Sequence, residues 1–180
     1  VVFQGIDAKA EASKFSKEQM AKPMVPLFPK KKATRTQFFP QIGSDEVGTG
    51  DFFGPVVVCA ALVCQNDKEK LKELGVTDSK KMDDSLIMAI GPNLSLSYPH
   101  SLLILRNQKY NEVIQSGLNM NSVKAKMHNQ SLLNLSKKYP EAKLYQDQFA
   151  PFDLYYRYFS NVKEVVANIT FETKGELKYS

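Results

Sequence analysis

The chain has 180 residues, 43% of them hydrophobic and 11% aromatic, with no Trp and two Cys. That length holds one substantial domain plus an appendage, and no stretch approaches the ~20 apolar residues of a membrane-spanning helix. The net charge of +5 is unevenly placed: residues 1–40 carry 8 Lys and Arg against 3 Asp and Glu, whereas residues 41–180 carry 16 against 16. The excess centres on Lys30, Lys31, Lys32 and Arg35. A basic arm of this kind suits a polyanionic partner, and a solvated Lys-rich linker is the alternative from charge alone.

In chain order, Val1–Gly5 reads as a strand and Ala8–Lys22, by its Ala, Glu and Lys content, as a helix. The opening residues lack the basic-then-apolar pattern of a signal peptide and have no initiator Met, so the chain is expected to begin inside a longer protein. Pro23 stops the helix, and Pro26, Pro29 and Pro40 make the segment to Gln41 an extended linker. A domain boundary is therefore expected near residue 40.

The next stretch, Ile42-Gly43-Ser44-Asp45-Glu46-Val47-Gly48-Thr49-Gly50-Asp51-Phe52-Phe53-Gly54-Pro55, leads into the apolar run Val56–Val63. Two extended segments joined by a Gly-rich turn predict a β-hairpin. Asp45 and Glu46 stand where the first segment meets the turn. In a regular strand they point to opposite faces, and they serve one site only if the backbone rotates at the strand end. Two ionised carboxylates about 4 Å apart repel by roughly 4 kcal/mol at an effective dielectric near 20, so a half-buried pair raises a pKa or binds a cation. Hard ions such as Mg²⁺ prefer such oxygen ligands. An exposed Asp-Glu pair in a surface turn is the plainer alternative. Cys59 and Cys64 fall on opposite faces about 16 Å apart at strand rise, too far to bridge, and are expected as reduced core thiols of a cytoplasmic protein.

Beyond the hairpin, helices are predicted over Asp67–Leu74, Asp83–Ile90, Gln108–Ser116, Asn121–Lys138 and Phe152–Phe159. Strands are predicted over Ser101–Arg106, Lys143–Gln148 and Val162–Phe171. Strands interleaved with helices imply an α/β domain with a mixed sheet. Asp78-Ser79-Lys80-Lys81 offers a hydroxyl, cations and backbone amides in one loop, a reasonable phosphate cradle. Asp147 leaves a short strand toward a loop, either as a catalytic acid or as the N-cap of the following helix. His128 within the long helix is read as a packing residue. The glycines fit neither a P-loop nor a dinucleotide-binding fingerprint.

Asp-Glu-Val-Gly-Thr-Gly-Asp-Phe-Phe-Gly-Pro-Val-Val-Val at residues 45–58 resembles the first catalytic motif of type 2 ribonucleases H, and within them of ribonuclease HIII. Asp78-Ser79-Lys80 is similar to the family's Asp-Ser-Lys motif, and Tyr145-Gln146-Asp147-Gln148-Phe149-Ala150 resembles its third-acid motif. Glu176, in Thr173-Lys174-Gly175-Glu176, resembles the fourth acid, with Glu172 a nearby competitor. The resemblance implies a ribonuclease H-like mixed sheet over residues 41–180, lacking the family's C-terminal helices, preceded at 1–40 by the end of a small N-terminal substrate-binding domain. It implies endonucleolytic hydrolysis of the RNA strand of RNA–DNA hybrids by a monomer that needs no membrane. Asp45, Glu46, Asp147 and Glu176 would hold two Mg²⁺ or Mn²⁺ ions. The backbone of Gly48, Thr49 and Gly50 would read the 2′-hydroxyl. Asp78, Ser79, Lys80, Lys30, Lys31 and Lys32 would contact the sugar-phosphate backbone. A non-catalytic hybrid-binding module and another ribonuclease H-like nuclease are the competing readings.

Overall fold

The computed structural model describes residues 39–172. The expected strand Val1–Gly5, the helix Ala8–Lys22, the basic cluster Lys30, Lys31 and Lys32, and Glu176 lie outside the described residues. Among the described residues there are five strands: β1 (Gln41–Val47), β2 (Val56–Val63), β3 (His100–Leu105), β4 (Lys143–Asp147) and β5 (Ile169–Glu172). They form one sheet in the order β3-β2-β1-β4-β5. The helices are α1 (Asp67–Glu73), α2 (Asp84–Ser97), α3 (Asn107–Gln115), α4 (Met120–Ser136) and α5 (Phe152–Arg157), with a 3-10 turn at Ser79–Lys81.

The sheet is mixed, as expected. β1 and β3 each run antiparallel to β2, while β4 is parallel to β1 and β5 is parallel to β4. The antiparallel half comes from the hairpin. Gly48 has φ +84°, and a Cβ built there would lie 2.3 Å from the Pro55 carbonyl oxygen, so only glycine lets the two arms close at this point. β2 buries every second residue (Val56, Val58, Ala60 and Leu62), the period-2 pattern of a strand with one face on a core.

That core lies between the sheet and α4, which packs across β1, β2 and β3. Ile42, Ala60, Leu62 and Leu144 meet Leu132, Leu133 and Leu135 there. An aromatic cluster of Tyr155, Phe159 and Ala125, with Phe149, Tyr156 and Phe171 against it, continues toward α5. Tyr155 donates its hydroxyl to Gln146 Oε1 at 2.9 Å, which satisfies a buried phenol, and burial raises its ionisation well above the usual range.

Three expectations are corrected. Val162–Phe171 is not one strand, and only Ile169–Glu172 pairs. Asn129 of α4 binds the Glu164 carbonyl at 2.9 Å and the Val166 amide at 2.8 Å, occupying groups that a sheet ladder would need. Asn168 at φ 62° then breaks the extended path before β5. Asp83–Ile90 is too short: α2 continues through Pro92 to Ser97, in spite of the helical donor that the proline removes. Cys59 is half-buried on the face of β2 opposite the core, and Cys64 follows the strand end and is exposed, so neither is a core thiol.

Candidate active site

β1 carries two consecutive carboxylates, and its regular pleat divides them. The strand runs without a break to Val47, and the positive-φ residue Gly48 follows it, after Glu46 rather than before. Asp45 therefore leaves on the face opposite α4, exposed, with its Oδ1 accepting the Glu46 amide at 2.8 Å. The rotation that would turn both carboxylates into one site does not occur within the strand.

On Asp45's face, parallel register lines up further acids. Ser44 pairs with Gln146, so Asp45 and Asp147 each stand one residue further along neighbouring strands. Asp147 in turn pairs with Glu172 on β5. Residues at one level of adjacent strands share a face about 5 Å apart, which places Asp45, Asp147 and Glu172 in a row. Tyr145 shares that face, and its phenol is pushed up by burial and by the Glu172 carboxylate. Glu172 itself is buried and Asp147 half-buried.

Glu46 faces α4 and enters a network there. His128 Nε2 lies 2.9 Å from Glu46 Oε2, and Lys124 Nζ lies 3.0 Å from Oε1. His128 Nδ1 reaches Ser44 Oγ at 2.9 Å. Lys124 also sits 4.2 Å above the Phe149 ring. The His128 hydrogen bond lowers the Glu46 pKa, burial raises it, and the Lys124 hydrogen bond lowers it again. The donors win, and the carboxyl falls from 4.5 to about 2.

The sequence motifs assign no role to Lys124 and leave His128 as a packing residue. They stand four apart on one helix, at the spacing that stacks side chains on a single face, alongside buried Ser131, Leu132 and Leu135. Polar residues recurring on an otherwise core-facing stripe were the available signal.

Gly48, Thr49 and Gly50 form the turn at the end of β1, closed by the Asp51 amide on the Gly48 carbonyl at 3.3 Å. Phe52 and Phe53 project from the same turn, 92% and 95% exposed. Asp78 caps the 3-10 turn by accepting the Lys80 amide at 3.1 Å, and Ser79 and Lys80 are exposed.

An oxygen-only donor set in register suits a hard divalent ion better than a soft one. In chemistry and in strand placement, Asp45 and Asp147 fit such a cation, with Glu172 beside them. Among the described residues, no group of three or more His, Cys, Asp and Glu side chains closes around a common point.

Comparison with known proteins agrees with this architecture. The family model described as ribonuclease HII matches residues 42–180. A ribonuclease HIII of Listeria monocytogenes is 42% identical over 187 residues, covering 98% of this chain and 59% of that protein. One from Bacillus cereus is 43% identical, covering 98% and 60%. The chain thus spans about three fifths of these curated relatives. Among solved structures, Bst-RNase HIII in complex with Mn²⁺ superposes with a TM-score of 0.76 at 33% identity, covering 97% of this chain and 58% of that one. The ribonuclease HII of Archaeoglobus fulgidus, at 22% identity and a TM-score of 0.59, shares the fold. The chain belongs to the ribonuclease HII family, and its sequence and fold are similar to those of proteins named ribonuclease HIII.

Proposed function

We propose that this chain is the greater part of an endoribonuclease that hydrolyses the RNA strand of RNA–DNA hybrids with Mg²⁺ or Mn²⁺. The observation that carries the reading is the register of β1 and β4, which sets Asp45 and Asp147 side by side at the ends of parallel strands on one face. Membership of a ribonuclease family, and likeness to a structure of Bst-RNase HIII that holds Mn²⁺, support it.

In this reading Asp45, Asp147 and Glu176 hold the ions, with Glu172 the alternative to Glu176; Glu46, which the resemblance adds to the set, faces α4 and would join them only if the end of β1 rotates. When bound, two divalent ions lower the pKa of an attacking water and stabilise the leaving 3′ oxygen, giving 5′-phosphate and 3′-hydroxyl ends. The chain's own contribution is placement. Asp45 and Asp147 set the negative charge where phosphate and cation meet. The turn Gly48-Thr49-Gly50, immediately after the acids, brings backbone close to the ribose, whose 2′-hydroxyl distinguishes RNA from DNA. Asp78, Ser79 and Lys80, with the basic segment Lys30, Lys31 and Lys32, contact the phosphates. The protein acts as a monomer in the cytoplasm.

Full-length protein with Mn²⁺ is expected to cut a hybrid inside its RNA strand and to spare an all-DNA duplex. Asp45→Asn and Asp147→Asn are each expected to lower cleavage by about 100-fold or more, since loss of even an outer partner costs 10–100-fold. Comparable cutting of both duplexes would sink the ribonuclease H reading. Hybrid binding without metal-dependent turnover would leave a binding module.

A further inference from the structure

The network around Glu46 has a geometry that packing alone does not require. Ser44 and Glu46 are two residues apart on β1 and share the α4 face, and one imidazole touches both, at 2.9 Å each. His128 is 1% exposed, with both ring nitrogens engaged. Asp45 is the residue between those two anchors. In a pleated strand, fixing residues i−1 and i+1 on one face fixes the direction in which residue i leaves the other.

The geometry points to His128 as a positioning residue: by clamping Ser44 and Glu46 on the α4 face it fixes the end of β1, and with it the direction in which Asp45 leaves toward the divalent cation of the proposed site. The inference rests on that reading of the site. A carboxylate only accepts, so Nε2 donates to Glu46 Oε2, while the Ser44 hydroxyl can donate to Nδ1. Hydrogen-bonded outer partners of this kind orient metal-binding carboxylates. His128 lies 82 positions from Glu46 in the chain, so the clamp also ties α4 to the end of β1.

Calorimetric titration of the full-length protein with Mn²⁺, without substrate, tests this. His128→Ala is expected to weaken Mn²⁺ binding by about 10-fold to 100-fold, the range for outer partners of metal ligands. His128→Gln, whose amide can donate to Glu46 in place of Nε2, should recover most of the loss. Ser44→Ala removes a single hydroxyl and should weaken binding in the same direction, and it decides the matter if His128→Ala does not fold. Asn129→Ala is the control for helix damage: it breaks the bonds to Glu164 and Val166 and should lower the melting temperature without moving Mn²⁺ affinity. With hybrid substrate, the His128 variants should lower kcat and leave KM near its starting value.

Asp45→Asn separates the two levels of the argument. Wild-type Mn²⁺ affinity in Asp45→Asn overturns the metal site itself. Loss in Asp45→Asn, with affinity held within about 2-fold in folded His128→Ala and Ser44→Ala, overturns the positioning role alone.

Discussion

Glu46 shows how a residue's charge state is decided by competing effects of known sign. Burial disfavours the ionised carboxyl, while the His128 and Lys124 donors favour it, and the result lies at about 2 against an ordinary 4.5. A surface ion pair contributes at most about 1 kcal/mol. Here the Glu46 side chain is 17% exposed and Lys124 12%, so solvent screening is weaker. Because the folded pKa is depressed, the stabilisation is fully present above pH 4.5 and is lost as pH falls toward 2. Linkage bounds it at about 3 kcal/mol. Denaturant titrations across this range should show wild-type stability falling more steeply than that of Glu46→Gln. At pH 7 the variant should be less stable by about 1–3 kcal/mol. Parallel pH profiles would show that the donors do not hold the charge.

At the scale of elements, the hairpin turn separates a structural glycine from one open to substrate. Gly48 needs both its positive φ and the absence of a Cβ, because the Pro55 carbonyl stands 2.3 Å from where that atom would be. Gly48→Ala should therefore cost at least about 2 kcal/mol and report on folding rather than recognition. A Cβ at Gly50 meets nothing within 4 Å. Gly50→Val is accordingly the informative variant for ribose reading: its melting temperature should stay near wild type while cleavage of the hybrid falls. Unchanged cleavage at an unchanged melting temperature would remove Gly50 from the contact surface. The segment before β5 carries the complementary lesson. Val162, Val165 and Val166 favour a strand by propensity, but Asn129 of α4 binds the Glu164 carbonyl and the Val166 amide and diverts the segment.

For the molecule as a whole, charge is divided between a basic beginning and a neutral remainder. If Lys30, Lys31, Lys32 and Arg35 neutralise phosphates, replacing all four should flatten the dependence of log affinity on log salt by up to about 3.6, without changing which strand is cut. An unchanged slope would make the segment a solvated linker.

What the sequence determined by itself is the local part of this protein. The hairpin, the α/β alternation and the span of α4 follow from apolar period, turn glycines and helix formers within short windows, and Asp45 and Asp147 stand in short motifs that resemble the family's. The tertiary structure decided what depends on distant partners. It set Glu46 against Lys124 and His128, 78 and 82 positions away. It turned residues 162–168 off the sheet through Asn129, and it aligned Asp45, Asp147 and Glu172 by parallel register. No short window records such pairings, because each depends on which helix face meets which strand face once the chain has closed long loops around a common core.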